Sequence, residues 1–269
     1  MRVLHVWNPA GVASIIAKYM DRLYGTRSLV VFRRAYDRFG TTVYGVLWDC
    51  GAKTFVLRVI LLARRFDLVH VHSLDRIVPL LKFIYPRKPV VLHYHGSEIR
   101  GRWRLRRRYW MWADAILYST PDLCDSEAPA RAVYVPNPVD TELFRRLDSV
   151  KRRRNLALAF NHNLDLDRAM HYACRYGLSI ELLERGLPYG ELPKILNRYE
   201  YYIDRTSPKS LSKTALEALA CGLKVIRWDG RVVSGLPRDH RPERVAEMIW
   251  RIYWRVRQKG ISFLPVKFI

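Results

Sequence analysis

The chain alternates short apolar runs with segments in which apolar residues recur every three or four positions. The first apolar run, RVLHVW at 2–7, stops at the polar turn NPAG, and VASIIAKYMDRLYG then has helical spacing and ends at Gly25. The alternation continues to residue 137 and predicts the further strands SLVVF, TVYGVLW, DLVHVH, KPVVLHYHG, ADAILYS and AVYVPN. Apolar strands separated by helices are typical of a parallel sheet with helices on both faces.

The segment NPVDTELFRRLDSVKRRRN interrupts this rhythm with Pro138 and a run of charges. We place a boundary here, between an N-terminal domain of residues 1–145 and a C-terminal domain of residues 146–269. The alternation resumes with the strands LALAFN, SIELLE, EYYID and LKVIRW and with helices at 165–176, 190–199 and 210–220. A last amphipathic helix at 241–258 is a candidate to pack back on the first domain. The fold class is therefore α/β, with two Rossmann-like, doubly wound domains facing across a ligand-binding cleft.

The charge balance narrows the choice of partners. The chain has 47 Lys and Arg against 25 Asp and Glu, a formal net charge of +22. This excess favours an acidic partner such as nucleic acid, anionic lipid or a phosphorylated ligand. A single glutamine and few asparagines beside abundant Arg and Glu are also typical of a thermophile.

The cysteines and the longest apolar runs bear on the compartment. Cys50, Cys124, Cys174 and Cys221 form no CxxC pair and are predicted to be reduced core residues. No apolar run approaches the roughly 18 residues of a membrane span, and MRVLHVW reaches a polar turn too soon for a signal peptide. We expect a cytoplasmic protein, with peripheral binding to the inner membrane face as an option.

One segment concentrates the positive charge. RGRWRLRRRYWMW at 100–112 holds six arginines, three tryptophans and no acid. On a helix, we expect Leu105, Tyr109 and Trp112 to face the sheet. Left outside would be Trp103, Arg104, Arg107 and Arg108. Such a surface suits anionic lipid or an acceptor, and a solvated face or a single-stranded nucleic acid are the alternatives.

The stretch SPKSLSKTALEALACGLKVI at 207–226 carries the most chemical information. A polar loop runs into a helix, and a helix N-terminus offers unpaired N–H groups and partial positive charge to a phosphate. Hydroxyl and ammonium groups for the same purpose come from Ser207, Lys209, Ser210 and Lys213. Glu217 lies about two turns further on, where a carboxylate can accept hydrogen bonds from a sugar diol.

This stretch resembles the donor-binding motif of the retaining GT-B glycosyltransferases of family 4, E-x7-E followed by A-x-A-C-G-x-P-V-I. Other pieces agree in order. NPAGVAS resembles the family's glycine loop, and DLVHVHS and VVLHYHGSE resemble its histidine-containing strand ends. ADAILYSTPDL and VPNPVDTELF also match family segments, so the resemblance covers nearly the whole chain.

The resemblance implies a GT-B fold and retaining transfer of a sugar from a nucleotide-diphosphate sugar, without cofactor or metal. The acceptor, lipid-linked or another glycan, would bind the first domain. Glu217 would hold the nucleotide ribose, and His95 would face the donor sugar as the catalytic residue. Gly11, in the glycine loop, would let backbone approach a phosphate or the acceptor, or would simply make a tight turn.

The sequence departs from the family at three points. The family's second glutamate, eight positions before Glu217, is replaced here by Lys209. AFNHNLDLDR offers no clear match to the Arg and Lys that grip the diphosphate, and the second domain lacks about one strand–helix unit. The alternative function is therefore a degenerate, non-catalytic GT-B protein that binds nucleic acid or anionic surfaces.

Two HxH pairs, His70 with His72 and His93 with His95, lie on neighbouring predicted strands. Residues two apart on a strand share a face, so a metal site there is conceivable. Because the family pattern accounts for these strands without a metal, we expect none. The DLD at 165–167 precedes a helix and is predicted to cap it.

Overall fold

A computed structural model describes residues 1–261 of the 269-residue chain. The chain forms two compact units. Unit 1 contains Met1–Asn137 and the chain from Glu243 onward, and unit 2 contains Pro138–Pro242. Within residues 1–261, no helix combines the length and the apolarity needed to cross a membrane.

Unit 1 is built on a seven-stranded sheet whose strand pairs are all parallel. The strands are β1 Arg2–Val6, β2 Arg27–Arg33, β3 Val46–Trp48, β4 Leu68–His72, β5 Val90–Tyr94, β6 Ala115–Tyr118 and β7 Ala132–Tyr134. Their order, β3-β2-β1-β4-β5-β6-β7, reverses direction between β1 and β4. In doubly wound sheets this switch point, at the carboxyl ends of the strands, is where ligands bind.

Helices cover both faces of this sheet. They are α1 Val12–Tyr24, α2 Ala52–Ala63, α3 Val78–Ile84, α4 Trp103–Trp110 and α8 Pro242–Ile261. Strand residues alternate between two cores. Leu4 and Val69 pack with α2, α3 and α4, and Val3 and Leu68 pack on the opposite face with α1 and α8.

Helix α8 completes the second of these cores. Its buried residues recur at helical spacing, at Val245, Ile249, Tyr253 and Val256, and pack with α1. Fully burying such a side chain contributes about 1.5–3 kcal/mol, so a single stripe ties the end of the described chain firmly to unit 1. The amphipathic pattern at 241–258 predicted a helix of the second domain that could also pack on the first domain.

Unit 2 contains a five-stranded sheet in the order β12-β11-β10-β8-β9. The strands are β8 Arg153–Phe160, β9 Ser179–Leu183, β10 Tyr199–Ile203, β11 Lys224–Ile226 and β12 Val232–Ser234, and the helices are α5 Leu166–Arg175, α6 Leu192–Leu196 and α7 Lys213–Ala220. Only the β11–β12 pair of this sheet is antiparallel. Helices α6 and α7 cover one face and α5 the other.

Unit 2 begins at Pro138, whereas the predicted boundary followed residue 145. The physical reason is burial, because Val139 and Phe144 are fully buried in the core around α6 and α7. The charge run that suggested the boundary follows this anchor rather than preceding it.

The predicted α/β class with two Rossmann-like domains is confirmed. Asp165 caps α5 as predicted, its carboxylate accepting from the Arg168 N–H at 3.1 Å. Strand β12 was not predicted, because its sequence VVS holds only two apolar residues between two polar, glycine-containing turns. The expectation that the cysteines lie in the core is wrong for Cys124 and Cys174, which are exposed, although all four thiols are free.

Candidate functional site

A row of histidines lies on the face of the unit 1 sheet that α1 and α8 cover. The amino-terminal half of that face is apolar, with Val3, Leu68 and Val91. Period-two alternation then brings histidines to the same face toward the carboxyl ends of β1, β4 and β5. We call this the histidine layer, and its members are His5, His70, His72, His93 and His95. The first four are fully buried, and His95, just past β5, is half-buried.

Four side chains of this region form a continuous hydrogen-bonded chain. Asn137 Oδ1 lies 2.9 Å from His95 Nδ1, and His95 Nε2 lies 3.0 Å from His72 Nδ1. His72 Nε2 in turn lies 3.2 Å from His5 Nδ1. Because Asn137 follows β7 and the histidines come from β1, β4 and β5, the chain links four strands of one sheet.

The other two histidines are held from outside this chain. His70 Nδ1 contacts the Tyr253 hydroxyl of α8 at 2.8 Å, and His93 Nε2 donates to the Val135 carbonyl at 3.1 Å. Three buried ring nitrogens have no hydrogen-bond partner among the described residues: His5 Nε2, His70 Nε2 and His93 Nδ1. Leaving a buried polar atom unpaired costs about 1–3 kcal/mol, so these atoms call for an explanation.

Burial keeps the histidine layer neutral. It lowers the pKa of His5 to about 3, against which the charge of Asp21 acts only partly. Burial likewise lowers the pKa of His70, His72 and His93, and neighbouring histidines lower it further. The pKa of His95 is lowered by burial and raised in part by the Glu98 carboxylate. All these rings therefore carry lone pairs at neutral pH.

Glu98 fixes the turn in which His95 lies. Its Oε1 accepts hydrogen bonds from the backbone N–H of His95, from that of Gly96 at 3.0 Å and from the Ser73 hydroxyl at 2.8 Å. Glu98 and Asn137 were not predicted as site residues. Both stood inside recognised segments, HGSE and VPN, at the ends of strands, which was the available signal.

Gly11 lies where α1 begins, with φ +75°. A Cβ at this position would stand 2.9 Å from the carbonyl oxygen of Thr41, so the close backbone approach that requires glycine is to this chain's own loop. Asn8 secures the same loop, donating to Ser14 Oγ at 2.9 Å and to Thr42 Oγ1 at 3.1 Å. This arrangement favours the tight-turn interpretation.

Helix α4 is turned differently from the prediction. Trp103 is fully buried and donates from Nε1 to the Leu123 carbonyl at 2.6 Å, whereas Leu105 is 64% exposed and Trp112 is 50% exposed. The predicted exposure of Trp103 is therefore wrong. The helix begins at Trp103 rather than near Arg100, which places Trp103, Arg106 and Trp110 inward.

The outward residues of α4 form a cationic and apolar surface. We call it the α4 surface, and it consists of Arg104, Leu105, Arg107, Arg108 and Met111. Two of the six arginines of residues 100–112 form ion pairs within the protein and are therefore not free to bind a ligand. Arg106 bridges to the buried Asp75 at 3.1 Å, and Arg100 bridges to Asp122 at 2.7 Å.

The loop before α7 brings together several predicted residues of unit 2. Ser207 and Lys209 are exposed, and Ser210 is buried with no hydrogen-bond partner for its hydroxyl among the described residues. Ser212 caps α7, its hydroxyl oxygen accepting from the Ala215 N–H at 3.0 Å. Asp204 holds the loop by accepting from the Ser212 N–H at 2.9 Å. Burial raises the pKa of this carboxyl.

Glu217 is 1% exposed, and two hydrogen-bond donors contact the same oxygen of its carboxylate. Its Oε1 accepts from Lys213 Nζ at 2.6 Å and from the Tyr189 hydroxyl at 2.8 Å. Burial and the Glu217 charge raise the pKa of Tyr189 well above its usual value. Tyr189 was not predicted because it lies 28 residues away, at the start of a short 3₁₀ helix that carries no motif.

Comparison with protein families matches residues 26–143 to Glycosyltransferase Family 4. Among solved structures, a sucrose-phosphate synthase from Thermosynechococcus elongatus is 11% identical, with a TM-score of 0.56 over 97% of this chain and 92% of that one. A UDP-GlcNAc 2-epimerase from Neisseria meningitidis, bound to UDP-GlcNAc, is 13% identical, with a TM-score of 0.51 over 97% and 94%. No curated protein matches the sequence significantly.

Proposed function

We propose that this protein, which has a family 4-like GT-B fold, transfers a sugar from a nucleotide-diphosphate sugar to a lipid-linked or other glycan acceptor. The match of residues 26–143 supports glycosyl transfer as the general activity. We further propose that the transfer retains the configuration of the anomeric carbon and that it requires no metal or cofactor. Nucleotide-sugar binding by the similarly folded epimerase supports the choice of donor.

The observation that carries the proposal is the Lys213–Glu217 ion pair in the first turns of α7, preceded in the loop by the unpartnered hydroxyl of Ser210. A helix N-terminus favours negative charge through its unpaired N–H groups and its dipole. The unpartnered hydroxyl of Ser210, in the loop just before α7, and the ammonium of Lys213, the first residue of the helix, are further donors in this segment. In glycosyl transfer the leaving diphosphate gains negative charge, and donors already in position stabilise it.

Glu217 is the residue that we assign to the nucleotide ribose. Its Oε1 accepts hydrogen bonds from Lys213 and Tyr189. Because the side chain is 1% exposed, a ribose reaches it only if Lys213 or Tyr189 moves. A diphosphate that attracts the Lys213 ammonium would release Glu217 for the ribose, so the two halves of the donor would bind cooperatively.

Unit 1 would bind the acceptor and supply His95. Its position at the end of β5, beside the switch point of the sheet, supports a role against the donor sugar. As a neutral ring it can exchange hydrogen bonds with sugar hydroxyls, and Asn137 and Glu98 orient it. Gly11 would act through the shape of the loop before α1 rather than through direct contact.

The α4 surface would hold the protein at an anionic membrane from the cytoplasmic side. Arg104, Arg107 and Arg108 are exposed next to Leu105 and Met111. Each arginine near an anionic surface contributes about 1 kcal/mol, and apolar neighbours can enter the headgroup region. Such binding would bring the enzyme to a lipid-linked acceptor.

A calorimetric screen of UDP-, GDP- and ADP-sugars tests the proposal, with Glu217→Gln as the diagnostic variant. At least one donor should bind, and the variant should bind it about 10- to 100-fold more weakly, the worth of a hydrogen bond to a charged group. Glu191→Gln, on the surface of the same unit, is the matched control and should leave affinity unchanged. Unchanged affinity in Glu217→Gln would remove the donor-site assignment.

The second candidate function is a non-catalytic protein on the same fold. Lys209 in place of a glutamate, together with the closed Lys213–Glu217 pair, favours it. It predicts that no nucleotide-sugar binds in the screen and that single-stranded oligonucleotides are retained in a salt-sensitive manner.

A further inference from the structure

We propose that His72, His93 and His95 form a binding site for one late first-row transition metal ion such as Zn²⁺. One ring nitrogen from each of the three lies within 4.8 Å of the other two. Two of these histidines already approach closely, with His72 Nδ1 3.0 Å from His95 Nε2. Two nitrogens bound tetrahedrally to one zinc are about 3.3 Å apart, so small ring rotations suffice.

The unpartnered nitrogen of His93 points to a ligand. A backbone carbonyl can only accept, so the contact with Val135 places the proton of the neutral ring on Nε2. His93 Nδ1 is then a bare lone pair on a fully buried residue, and it has no partner within the described chain. A bound cation would satisfy this atom.

The outer nitrogens of all three rings have acceptors for their protons. His93 donates to the Val135 carbonyl, His95 Nδ1 faces Asn137 Oδ1 at 2.9 Å, and His72 Nε2 faces His5 Nδ1 at 3.2 Å. Metal-binding histidines almost always donate their second N–H in this way, which fixes the tautomer and aims the lone pair. In this arrangement His72 Nδ1 and His95 Nε2 face one another at 3.0 Å, and Nδ1 is the nitrogen of His93 that is left for a ligand.

The chemistry of the donor set selects the class of ion. Three neutral imidazoles suit Zn²⁺, Cu²⁺, Ni²⁺ or Co²⁺ and not Mg²⁺ or Ca²⁺, which prefer oxygen ligands. The Glu98 carboxylate, fixed on the backbone of His95, supplies negative charge nearby. His95 is half-buried while its two partners are fully buried, so the ion would enter from the His95 side and keep one exchangeable position there.

The other cluster of the histidine layer, His5 with His70 and His72, is the weaker candidate. Its nitrogens also lie within 4.8 Å of one another. His5 Nε2 has no acceptor in the described chain, however, so its ring is not held in the manner of a ligand. All three of its members are fully buried, with no exposed edge for entry.

Metal binding by these three histidines does not depend on the proposed sugar transfer. A bound ion would occupy His95, so the metal-free form would be the one that carries out the transfer. The site therefore adds a metal-bound state in which His95 is not available to a sugar.

The test is metal binding to the full chain in the absence of nucleotide-sugar. Protein stripped with EDTA should take up about one Co²⁺ or Zn²⁺ per chain, with the visible absorption of tetrahedral Co²⁺. His93→Gln and His95→Gln should each weaken binding by at least about 100-fold. His70→Gln, a buried member of the layer outside the proposed site, is the matched control and should bind like the wild type.

Three outcomes would overturn the proposal: a folded wild type that takes up no ion, His93→Gln that binds normally, or His70→Gln that loses the ion as fully as His93→Gln. Circular dichroism establishes folding for each variant. If His93→Gln does not fold, His95→Gln decides, because His95 lies at the half-exposed end of β5 and its replacement disturbs the core least.

Discussion

Acid should destabilise the protein through the histidine layer, and His5 gives this effect a magnitude. Burial lowers the pKa of His5 from 6.5 to about 3. Between these values the unfolded chain binds a proton at His5 and the folded chain does not. Its contribution to stability is therefore complete above pH 6.5 and is lost as the pH falls. Each pH unit costs about 1.4 kcal/mol, so His5 alone removes about 2.7 kcal/mol by pH 4.5.

Other titratable groups also contribute to the pH dependence of the free energy of unfolding. The lowered pKa of His70, His72 and His93 adds loss in the same direction. Burial raises the pKa of Asp75 and Asp204, and a carboxyl that keeps its proton in the folded state acts in the opposite sense. A comparison with His5→Gln isolates one histidine from this sum.

Urea unfolding followed by tryptophan fluorescence, in EDTA and between pH 7 and 4.5, measures the effect. The free energy of unfolding of the wild type should fall with pH. That of His5→Gln should fall less steeply, by up to about 1.4 kcal/mol per pH unit. A domain has only about 5–15 kcal/mol of stability in total. A difference of this size between the two proteins is therefore readily measured in their unfolding curves. Equal slopes for the two proteins would refute the assignment of a depressed pKa to His5.

Three further predictions concern α4 and the loop before α7. Trp103→Ala should lower the free energy of unfolding in urea by about 3–5 kcal/mol, and Trp103→Phe by about 1–3 kcal/mol because a buried carbonyl loses its donor; an effect near zero would contradict the observed burial. Lys209→Glu should reduce turnover in a sugar-transfer assay, since we expect the ammonium to pair with donor phosphate or an acidic sugar, and higher turnover with ordinary hexose donors would refute this role. Replacing Arg104, Arg107 and Arg108 by glutamine should abolish flotation with phosphatidylglycerol vesicles at low salt, a loss of about 1 kcal/mol per arginine, and leave nucleotide binding intact; a wild type that ignores such vesicles would rule out the membrane role.

The strands of unit 1 were predictable because their apolar runs are buried on both faces and read continuously. The same pattern placed His70 and His72, and His93 and His95, on one face of neighbouring strands. The pattern could not show that Asn137 and Val135 would meet these rings, because that depends on the register of β7 against β6.

The sequence could not predict which face of α4 is buried or which residues contact Glu217. In α4 almost every position is arginine or aromatic, so no stripe stands out, and the inward choice of Trp103 follows from its hydrogen bond to Leu123. Tyr189 contacts Glu217 from a 3₁₀ helix 28 residues earlier in the chain. Such long-range contacts arise from tertiary packing and have no local signature.

The return of α8 to unit 1 has a consequence for the order in which the protein can be made. Residues 1–137 emerge from the ribosome long before Val245 is synthesised. During that time α8 is absent from the face of the first sheet that it covers together with α1. Apolar surface left open in this way is prone to aggregation during synthesis. A fragment ending at residue 137 would therefore be insoluble, whereas a circular permutant that begins with α8 and continues into β1 would complete this core before unit 2 is translated.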